Sequence, residues 1–387
     1  MLLDGIRVIE LATYVAAPAA GALLADYGAE VIKVEAAGGD PMRQFFASVG
    51  RGDDGQNLVF ETDNRGKKSI VVDIASEQGA ADMLDLIRSA DVFLTNARPA
   101  SLDRAGLDWE TLRKIRPDLI YASFTGYGEK GPEADKPGFD IAAYWARTGL
   151  CSLATVKGAE PTQLRTGIGD HTASLALLSG VLGALFHRER TGKGQKVQSS
   201  LVRTGVYAGA SEHAVQLQLG KIGSTKSRHE AVNPMNNFFR SADDRWIVIV
   251  PRQGSGDWPK LLAAAGRPEL AADARFDGVR NRRTNAAALV DELDAAFGAM
   301  PYDALAEALN RENIIWGPVQ SVGQAVRDPQ LRAAGCYVPL EDDGSAGSSV
   351  IVAGPLDFEC IPERPLKRAP RLGEHGDILR ASVAGKG

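Results

Sequence analysis

A strand–helix–strand pattern near the amino-terminal end constrains the fold of this chain more than any other sequence feature. Arg7–Leu11 is a short apolar run with strand character, and Glu30–Glu35 is a second one. Between them, residues 19–27 are small and apolar, Pro18 stands where a helix can begin, and Gly28 ends the run. Proline is tolerated at the first helical position. This βαβ unit predicts an α/β fold, with a parallel sheet covered by helices.

The same alternation continues to about residue 218. It predicts further strands at residues 67–73, 91–95, 119–123 and 195–199, and helices at residues 78–89, 101–105, 141–148 and 173–186. Residues 38–63 are rich in glycine and aspartate without periodicity, which predicts a long loop. After residue 218, a polar linker leads into a strong strand and three helices, which are typical of a smaller α+β domain. We therefore predict residues 1–218 as part of a large domain and residues 219–324 as a linker and small domain.

Composition and charge exclude several classes of protein. The chain has 387 residues, 44% hydrophobic and 24% charged, as in globular proteins long enough for two domains. Its net charge of -5 gives no reason to expect nucleic acid or an anionic membrane as a partner. We see no signal peptide and expect no stretch long enough to span a bilayer. Widely spaced Cys151, Cys336 and Cys360 predict reduced thiols of a cytoplasmic protein, and scattered histidines predict no metal site.

The sequence of the first loop of the βαβ unit can be compared with the fingerprint of nucleotide-binding folds. Residues 16–21 read Ala-Ala-Pro-Ala-Ala-Gly, which lacks the GxGxxG fingerprint of dinucleotide-binding folds. Only Glu35 resembles the acid that holds a ribose in such folds. The pattern therefore disfavours NAD. A lone GxG at residues 254–256 is more simply a turn than a binding loop.

The stretch from Arg165 to Ser174 carries the strongest candidate for chemistry. Asp170 stands at the start of an apolar helical run, with Gly167 and Gly169 before it. An aspartate there can cap the helix. It can also act as a nucleophile, and the helix dipole predicts that it stays ionised at pH 7. Such a carboxylate can attack only an activated acyl group such as a thioester, to give a mixed anhydride.

Neighbouring polar residues have simple structural interpretations. His171 follows Asp170, and adjacent helical residues point about 100° apart, so a working Asp–His pair is doubtful. Asp140 is most simply a helix cap. Several basic residues lie near predicted strand ends, where α/β folds bind ligands, and they are either phosphate contacts or solvated surface charges: Lys67, Lys68, Arg98, Arg104, Lys130 and Lys136.

Short motifs recur in a fixed order along nearly the whole chain. They include LDGIRVIEL at residues 3–11, LADYGAEVIKVE at 24–35, NRGKKSI at 64–70, LDRAGL at 102–107, YASFTGYG at 121–128, GFD at 138–140, GDHT at 169–172, RERTGKGQ at 188–195, GPV at 317–319, DPQL at 328–331 and GEH at 373–375. Each motif alone is weak. Together and in this order, they resemble the family III CoA-transferases, also called the CaiB/BaiF family.

The resemblance implies a function. The aspartate that matches Asp170 is the nucleophile of the family, attacking an acyl-CoA to form an acyl-aspartyl anhydride and then an aspartyl-CoA thioester. CoA then passes to a small carboxylic acid. The resemblance therefore implies an acyl-CoA and a carboxylic acid as partners, with coenzyme A as a substrate and no permanently bound cofactor.

The resemblance also implies further site residues. Those near the thioester are Val15, Ala16, Phe139 and Asp140, and those along the nucleotide part of CoA are Asn96, Ala97, Arg98 and Arg104, with Lys68 or Lys136 at phosphates. This chain departs from some members at two positions. Val15 stands where some have glutamine, and Ala36 where some have a basic residue.

The family fold adds an expectation about architecture. Its members form an interlocked homodimer in which both ends of the chain build a Rossmann-like large domain. The resemblance thus implies that residues 325–387 return to complete the large domain.

Two other functions remain open. An acyl-CoA racemase of the same superfamily usually has a histidine at the position of Phe139, and phenylalanine cannot move a proton, which counts against racemisation. A non-catalytic acyl-CoA-binding protein would keep the cleft without needing Asp170. Val15, Phe139, Tyr144 and Trp145 suggest an apolar acyl pocket for an aromatic or branched acid.

Overall fold

The computed structural model describes residues 1–45, 57–252, 256–342 and 349–378. The chain divides into two compact units. The first unit contains residues 1–151, 162–222 and 333–387, and the second contains residues 152–161 and 223–332. Residues 152–161, which the sequence pattern places in the large domain, thus belong to the second unit. The GxG turn predicted at residues 254–256 lies largely outside the described residues.

A six-stranded parallel sheet forms the centre of the first unit. Its strands are β1 (Arg7–Leu11), β2 (Glu30–Glu35), β3 (Lys68–Val71), β4 (Val92–Thr95), β5 (Ile120–Thr125) and β6 (Gln195–Ser200). Their spatial order is β3-β2-β1-β4-β5-β6. The chain therefore moves in one direction from β1 to β3 and in the other from β4 to β6. Such a reversal opens a crevice beyond the carboxyl ends of β1 and β4, where open α/β sheets bind ligands.

Helices alternate with the strands, as the βαβ pattern predicts. They are α1 (Ala16–Asp26), α2 (Leu58–Asn64), α3 (Glu77–Arg88), α4 (Pro99–Arg104), α5 (Trp109–Ile115), a π-helical segment (Ile141–Ala146), α6 (Leu150–Ala154), α7 (Ile168–Thr191), α8 (Leu201–Ala208) and α9 (Ala210–Leu219). The prediction of one long loop over residues 38–63 is wrong at its end. There the side chain of Asn57 accepts a 3.0 Å hydrogen bond from the N–H of Phe60 and starts α2. Pro18 is also the third residue of α1, not the first.

The long helix α7 packs on the sheet through one apolar face. Ala173, Leu177, Val181 and Ala184 belong to the same buried cluster as Ala17 of α1. At 24 residues, α7 is long and apolar enough to cross a membrane by length and composition alone, contrary to the sequence expectation. Its buried face is nevertheless that of a core helix.

Buried charges connect the first three strands. Lys33 of β2 and Lys67 both contact Glu10 of β1, and all three side chains are fully buried. Lys67 also donates to the carbonyl oxygen of Pro18 at 2.9 Å. Burial lowers the pKa of Lys67 to about 8. Lys67 is therefore a structural residue of the sheet and not an exposed phosphate contact.

Glu35 is occupied in the same way. It pairs with Arg43 at 2.7 Å and accepts a 2.6 Å hydrogen bond from the hydroxyl of Ser69. Because these contacts occupy the carboxylate, Glu35 stabilises the fold and is not available to bind a ribose. This agrees with the missing glycine fingerprint.

The second unit has its own core. A three-stranded antiparallel sheet of β7 (Asn237–Arg240), β8 (Trp246–Ile249) and β9 (Trp316–Pro318) accompanies helices α10 (Trp258–Ala264), α11 (Gly278–Thr284), α12 (Ala286–Gly298) and α13 (Tyr302–Arg311). The short helices α14 (Val322–Ala325) and α15 (Pro329–Ala333) follow, and β10 (Tyr337–Pro339) and β11 (Val350–Val352) form a two-stranded sheet in the return segment.

The predicted α/β class, with a parallel sheet and a smaller α+β part, is confirmed.

Candidate active site

A cavity of about 380 Å³ opens at the carboxyl ends of β1, β4 and β5 and at the start of α7. It brings together seven of the residues singled out from the sequence: Val15, Ala16, Asn96, Arg98, Lys136, Phe139 and Asp170. The rest of its wall is mostly small or apolar, formed by Thr13, Tyr14, Phe124, Thr125, Gly126, Ala134, Pro137, Gly138 and Leu201. The cavity therefore combines one carboxylate, two cations and an apolar lining.

Asp170 occupies the first turn of α7 but does not cap it. The capping position belongs to Gly167, whose φ of 94° is readily adopted only by glycine. Asp170 is the third residue of the helix and is 8% exposed. The capping interpretation of Asp170 is therefore wrong, and its carboxylate lies in the cavity wall.

Asp140 caps the helix in its place. Its Oδ2 accepts hydrogen bonds from the N–H groups of Gly167 at 2.8 Å and Gly169 at 3.1 Å, and its Oδ1 accepts one from Ile141 at 2.9 Å. The side chain is fully buried. One carboxylate thus satisfies the starts of two helical segments and fixes α7, and with it Asp170, against the π-helical segment.

Gly169 permits this close approach. A Cβ at this position would lie 2.7 Å from ring atoms of Tyr144 and 2.9 Å from the Cβ of Asp140. Both contacts are shorter than real Cβ atoms make. The glycine before Asp170 is therefore required by packing.

The surroundings of Asp170 disfavour its charge. Burial raises its pKa to about 7, the Asp140 and Asp63 carboxylates add to the rise, and His171 opposes it. The expectation that the helix dipole keeps Asp170 fully ionised at pH 7 is thus corrected. Desolvation outweighs the dipole, and the carboxyl group titrates near neutral pH.

His171 pairs with a residue that the sequence did not single out. Its Nε2 lies 3.0 Å from Oδ1 of Asp63, and its Nδ1 lies 2.8 Å from the carbonyl oxygen of Gly167. The hydrogen bond to Asp63 raises the pKa of His171. Asp63 lies at the end of α2, inside the segment predicted as a loop, so no sequence periodicity marked it.

The loop after β1 forms a fixed wall of the cavity. The side chain of Asn96 accepts from the N–H of Thr13 at 3.0 Å and donates to its carbonyl oxygen at 2.7 Å. Oδ1 of the buried Asp40 accepts from the N–H of Tyr14, which has a left-handed φ of 65°. Asn96 thus fixes the cavity wall by its hydrogen bonds to the backbone of Thr13. The sequence analysis did not identify Asp40.

Two aromatic rings stand together in the wall. Tyr14 and Phe139 meet edge to face with ring centroids 5.3 Å apart, and both are substantially exposed. Tyr144 is instead buried in the core, and the indole N–H of Trp145 donates to the carbonyl oxygen of Thr162. Among the described residues that line the cavity, neither Tyr144 nor Trp145 occurs.

The predicted cationic contacts divide into two groups. Arg98 and Lys136 line the cavity, and Lys136 also pairs with Glu133 at 2.9 Å. Lys68 begins β3 at the opposite edge of the sheet and pairs with Glu30 at 2.6 Å, so its assignment to a CoA phosphate is corrected.

Three other predicted contacts lie elsewhere. Arg104 ends α4 and contacts the hydroxyl of Ser101, and Ala97 packs against the apolar core. Lys130 lines a separate cavity. Within residues 1–45, 57–252, 256–342 and 349–378, no group of three or more histidine, cysteine, aspartate or glutamate residues is arranged to hold a metal ion.

Comparison with known proteins identifies relatives along the whole chain. Residues 3–376 match the sequence model of CoA-transferase family III. The chain is 38% identical over 282 residues to the cinnamoyl-CoA:phenyllactate CoA-transferase of Clostridium sporogenes, covering 72% of this chain and 68% of that protein. It is 32% identical over 377 residues to the (R)-2-hydroxy-4-methylpentanoate CoA-transferase of Clostridioides difficile, with 97% and 94% covered. A CaiB/BaiF family protein from Brucella suis has a similar structure, with a TM-score of 0.85, 31% identity and coverage of 98% and 99%.

Proposed function

The chain belongs to CoA-transferase family III, and from this premise we propose that it transfers CoA from an acyl-CoA to a carboxylic acid through covalent intermediates on Asp170. The observation that carries the proposal is the position of Asp170. It is the carboxylate among the residues that line the described cavity, and it is 8% exposed at the start of α7. A desolvated carboxylate is a stronger nucleophile than a hydrated one.

The first half of the reaction loads CoA onto the enzyme. A carboxylate oxygen of Asp170 attacks the carbonyl carbon of the donor thioester, the C–S bond breaks, and CoA leaves as a thiolate. The thiolate then attacks the side-chain carbonyl carbon of Asp170 in the mixed anhydride. The donor leaves as a carboxylate that carries the bridging oxygen, and Asp170 becomes a CoA thioester.

The second half reverses these steps with the acceptor. The acceptor carboxylate attacks the aspartyl thioester, forms a second anhydride and releases the CoA thiolate. The thiolate attacks the acceptor carbonyl, which gives the new acyl-CoA and restores the carboxylate of Asp170. No oxidant or external base is consumed. Because an anhydride or thioester would be lost to water, a mostly apolar cavity suits this route.

The apolar wall supports a substrate class. Tyr14, Val15, Phe124 and Phe139 surround the approach to Asp170 without adding a charge. Their rings and methyl groups suit an aromatic or branched acyl group better than a second carboxylate. The names of two relatives, which mention phenyllactate and 2-hydroxy-4-methylpentanoate, agree with this class.

Two features support the remaining parts of the proposal. Arg98 and Lys136, the cations of the cavity wall, would bind phosphates of CoA. Phe139 cannot carry a proton, which favours acyl transfer over racemisation at this site.

We also propose that the chain forms a homodimer. Apolar side chains on α8 and α9 are strongly exposed, including Tyr207 at 82%, Leu217 at 83% and Leu219 at 69%. Strongly exposed apolar side chains on successive helices are typical of an interface. Light scattering after size-exclusion chromatography should give the mass of two chains, and a single-chain mass would contradict the proposal.

Trapping of the intermediate tests the proposed mechanism. Hydroxylamine attacks acyl-aspartyl anhydrides and aspartyl thioesters and leaves an aspartyl hydroxamate. With an acyl-CoA present, the protein should lose activity, and peptide mass spectrometry should place the hydroxamate on Asp170. The matched control is Asp170→Ala, which should bind acyl-CoA without modification or turnover. Full activity of Asp170→Ala, or unmodified Asp170 under turnover, would contradict the proposal.

A screen of donor and acceptor acids tests the substrate class. Mass spectrometry of the CoA esters should show transfer between aromatic or branched acids in preference to dicarboxylic acids. The reverse preference would contradict the assignment of the apolar wall to the acyl group.

A further inference from the structure

The imidazole ring of His171 contacts a hydrogen-bond acceptor at each nitrogen. Nε2 lies 3.0 Å from Oδ1 of Asp63, and Nδ1 lies 2.8 Å from the carbonyl oxygen of Gly167. Carboxylate and carbonyl oxygens accept hydrogen bonds, so each ring nitrogen must donate one. A histidine that donates from both nitrogens carries a positive charge. With an ionised Asp63, these contacts are those of an imidazolium.

Asp63 is a buried carboxylate whose nearby positive groups are His171, which it contacts directly, and Lys67, with which it interacts electrostatically. Its side chain is 2% exposed, and within the described part of the chain its Oδ2 has no hydrogen-bond partner. A buried carboxylate is stable only when it is paired. The imidazolium of His171 supplies that pairing across 108 residues of sequence. The positive charge on His171 thus stabilises the buried carboxylate of Asp63, and that carboxylate in turn stabilises the charge on His171.

Among the described residues, two carboxylates and one histidine have the largest electrostatic effects on Asp170, and the cations Arg98 and Lys136 line the same cavity. Asp140 faces it from the start of the π-helical segment, Asp63 from α2, and His171 from its own helix. The carboxylates and burial disfavour an anion at Asp170, whereas His171 favours it. Without the cation, three acidic groups would share one largely buried region.

We propose that Asp63 holds His171 as a permanent imidazolium, and that this cation keeps Asp170 ionised for nucleophilic attack. The inference rests on the proposed function, because ionisation of Asp170 matters only if Asp170 attacks the substrate. Both residues are positioning residues that act through Asp170. No proton moves between His171 and Asp170. The cation is present throughout, while Asp170 alternates between a carboxylate and a neutral acyl derivative.

The pH dependence of activity tests this role. His171→Gln removes the cation, and Asp63→Asn removes the group that maintains it. His171→Gln should move the acidic limb of the kcat/KM profile to higher pH by about one unit. Asp63→Asn should move it less, because this variant also removes a carboxylate that disfavours the Asp170 anion. Both variants should keep the plateau at high pH within about threefold of wild type. The double variant should match Asp63→Asn, because that substitution already removes both the carboxylate and the cation that it maintains. An unshifted limb with activity lowered equally at every pH would show a merely structural role and overturn the proposal.

A second histidine–aspartate pair provides the matched control. His229 lies 3.2 Å from Asp291 in the second unit, with both side chains exposed. His229→Gln and Asp291→Asn make the same chemical changes and should leave the acidic limb unshifted. An equal shift in these variants would overturn the assignment of the effect to His171 and Asp63.

Nuclear magnetic resonance of the wild-type protein tests the pair without activity. Ring nitrogen-15 shifts of His171, assigned with His171→Gln, should show both nitrogens protonated at pH 7. Asp63→Asn should lower the pKa of His171. A neutral His171 ring in the wild-type protein at pH 7 would overturn the inference even if the variants fail to fold. If the imidazolium is observed but wild-type protein transfers no CoA, the proposed function fails and the charge assignment stands.

Discussion

The carboxylate of Asp140 accepts a 2.8 Å hydrogen bond from the backbone N–H of Gly167, which begins the helix that carries Asp170. The cap of this helix therefore comes from a residue 27 positions earlier in the chain. Asp170 therefore does not cap the helix, although its sequence position suggests that role. Asp170 instead lines the cavity.

The close packing behind this cap can be tested with two glycines of α7. Gly169→Ala should destabilise the fold by about 1–3 kcal/mol and lower activity, because the new Cβ would clash with Tyr144 and Asp140. Gly183→Ala is the matched control, because a Cβ there meets nothing within 4 Å. It should stabilise the helix by up to about 1 kcal/mol. Thermal unfolding measures both, and equal stability of the two variants would contradict the packing account.

The raised pKa of Asp170 predicts a pH-dependent gain in stability when the charge is removed. The folded pKa of about 7 exceeds the ordinary value of 3.8. A raised pKa contributes stability below the ordinary value, and this contribution is lost as pH rises through the folded value. Asp170→Asn should therefore be more stable than wild type above pH 7, by roughly 1–3 kcal/mol, with the gain vanishing near pH 4.

Thermal unfolding at several pH values provides the measurement, with Asp108→Asn as the control. Asp108 caps α5, and its hydrogen bonds from Thr111 outweigh burial and lower its pKa. Its removal should destabilise the protein at neutral pH. A gain in Asp170→Asn that does not change with pH would show that burial of charge is not its cause.

The contact between Asn96 and Thr13 predicts an effect on catalysis that exceeds its effect on stability. Asn96→Ala loses both hydrogen bonds to the Thr13 backbone, so the loop that forms this part of the cavity wall is no longer fixed. We expect kcat/KM to fall about tenfold, with unfolding free energy lowered by only about 1–2 kcal/mol.

Asn285→Ala is the matched control for Asn96→Ala. Asn285, in the second unit, also makes two hydrogen bonds to the backbone, in this case by donating to two carbonyl oxygens. Its alanine variant should leave kcat/KM unchanged. Equal kinetic effects of the two alanine variants would refute a specific role for the wall.

The exposed position of Arg98 in the cavity predicts a role in binding alone. Arg98→Gln should raise KM for acyl-CoA about tenfold with little change in kcat, and the difference should shrink at high salt. Arg113→Gln on α5 is the control, because Arg113 is exposed and pairs with Glu110 on the same helix. A lowered kcat in Arg98→Gln, with KM unchanged, would contradict a purely electrostatic contact with CoA.

Local sequence patterns were sufficient to predict the sheet, and the family resemblance added which residues approach the site. The βαβ unit of residues 7–35 fixes the direction of the first strands, and the glycines around Asp170 mark an unusual helix start. The sheet reversal then brings Val15, Asn96 and Asp170 to one cavity, because the carboxyl ends of parallel strands meet at one edge.

Long-range pairings could not be predicted in the same way. Asp63 and His171 are 108 residues apart, and nothing periodic in their neighbourhoods indicates the contact. Lys67 resembles an exposed cation in sequence, yet its partner Glu10 comes from another strand. Asp140 was predicted as a cap, and it does cap the segment that follows it, but its second role at the distant start of α7 required the three-dimensional structure. The raised pKa of Asp170 also required the structure, because burial of charge depends on such distant partners.

Transfer of an oxygen label tests covalent catalysis by Asp170 most directly. In the proposed route, the bridging oxygen of the second anhydride comes from the acceptor and remains on Asp170 when the thiolate attacks the acceptor carbonyl. After turnover with an acceptor labelled with ¹⁸O in its carboxylate, peptide mass spectrometry should therefore find ¹⁸O in the side chain of Asp170. An Asp170 peptide free of ¹⁸O after many turnovers would contradict the account, because CoA would then have passed between the acids without a bond to this residue.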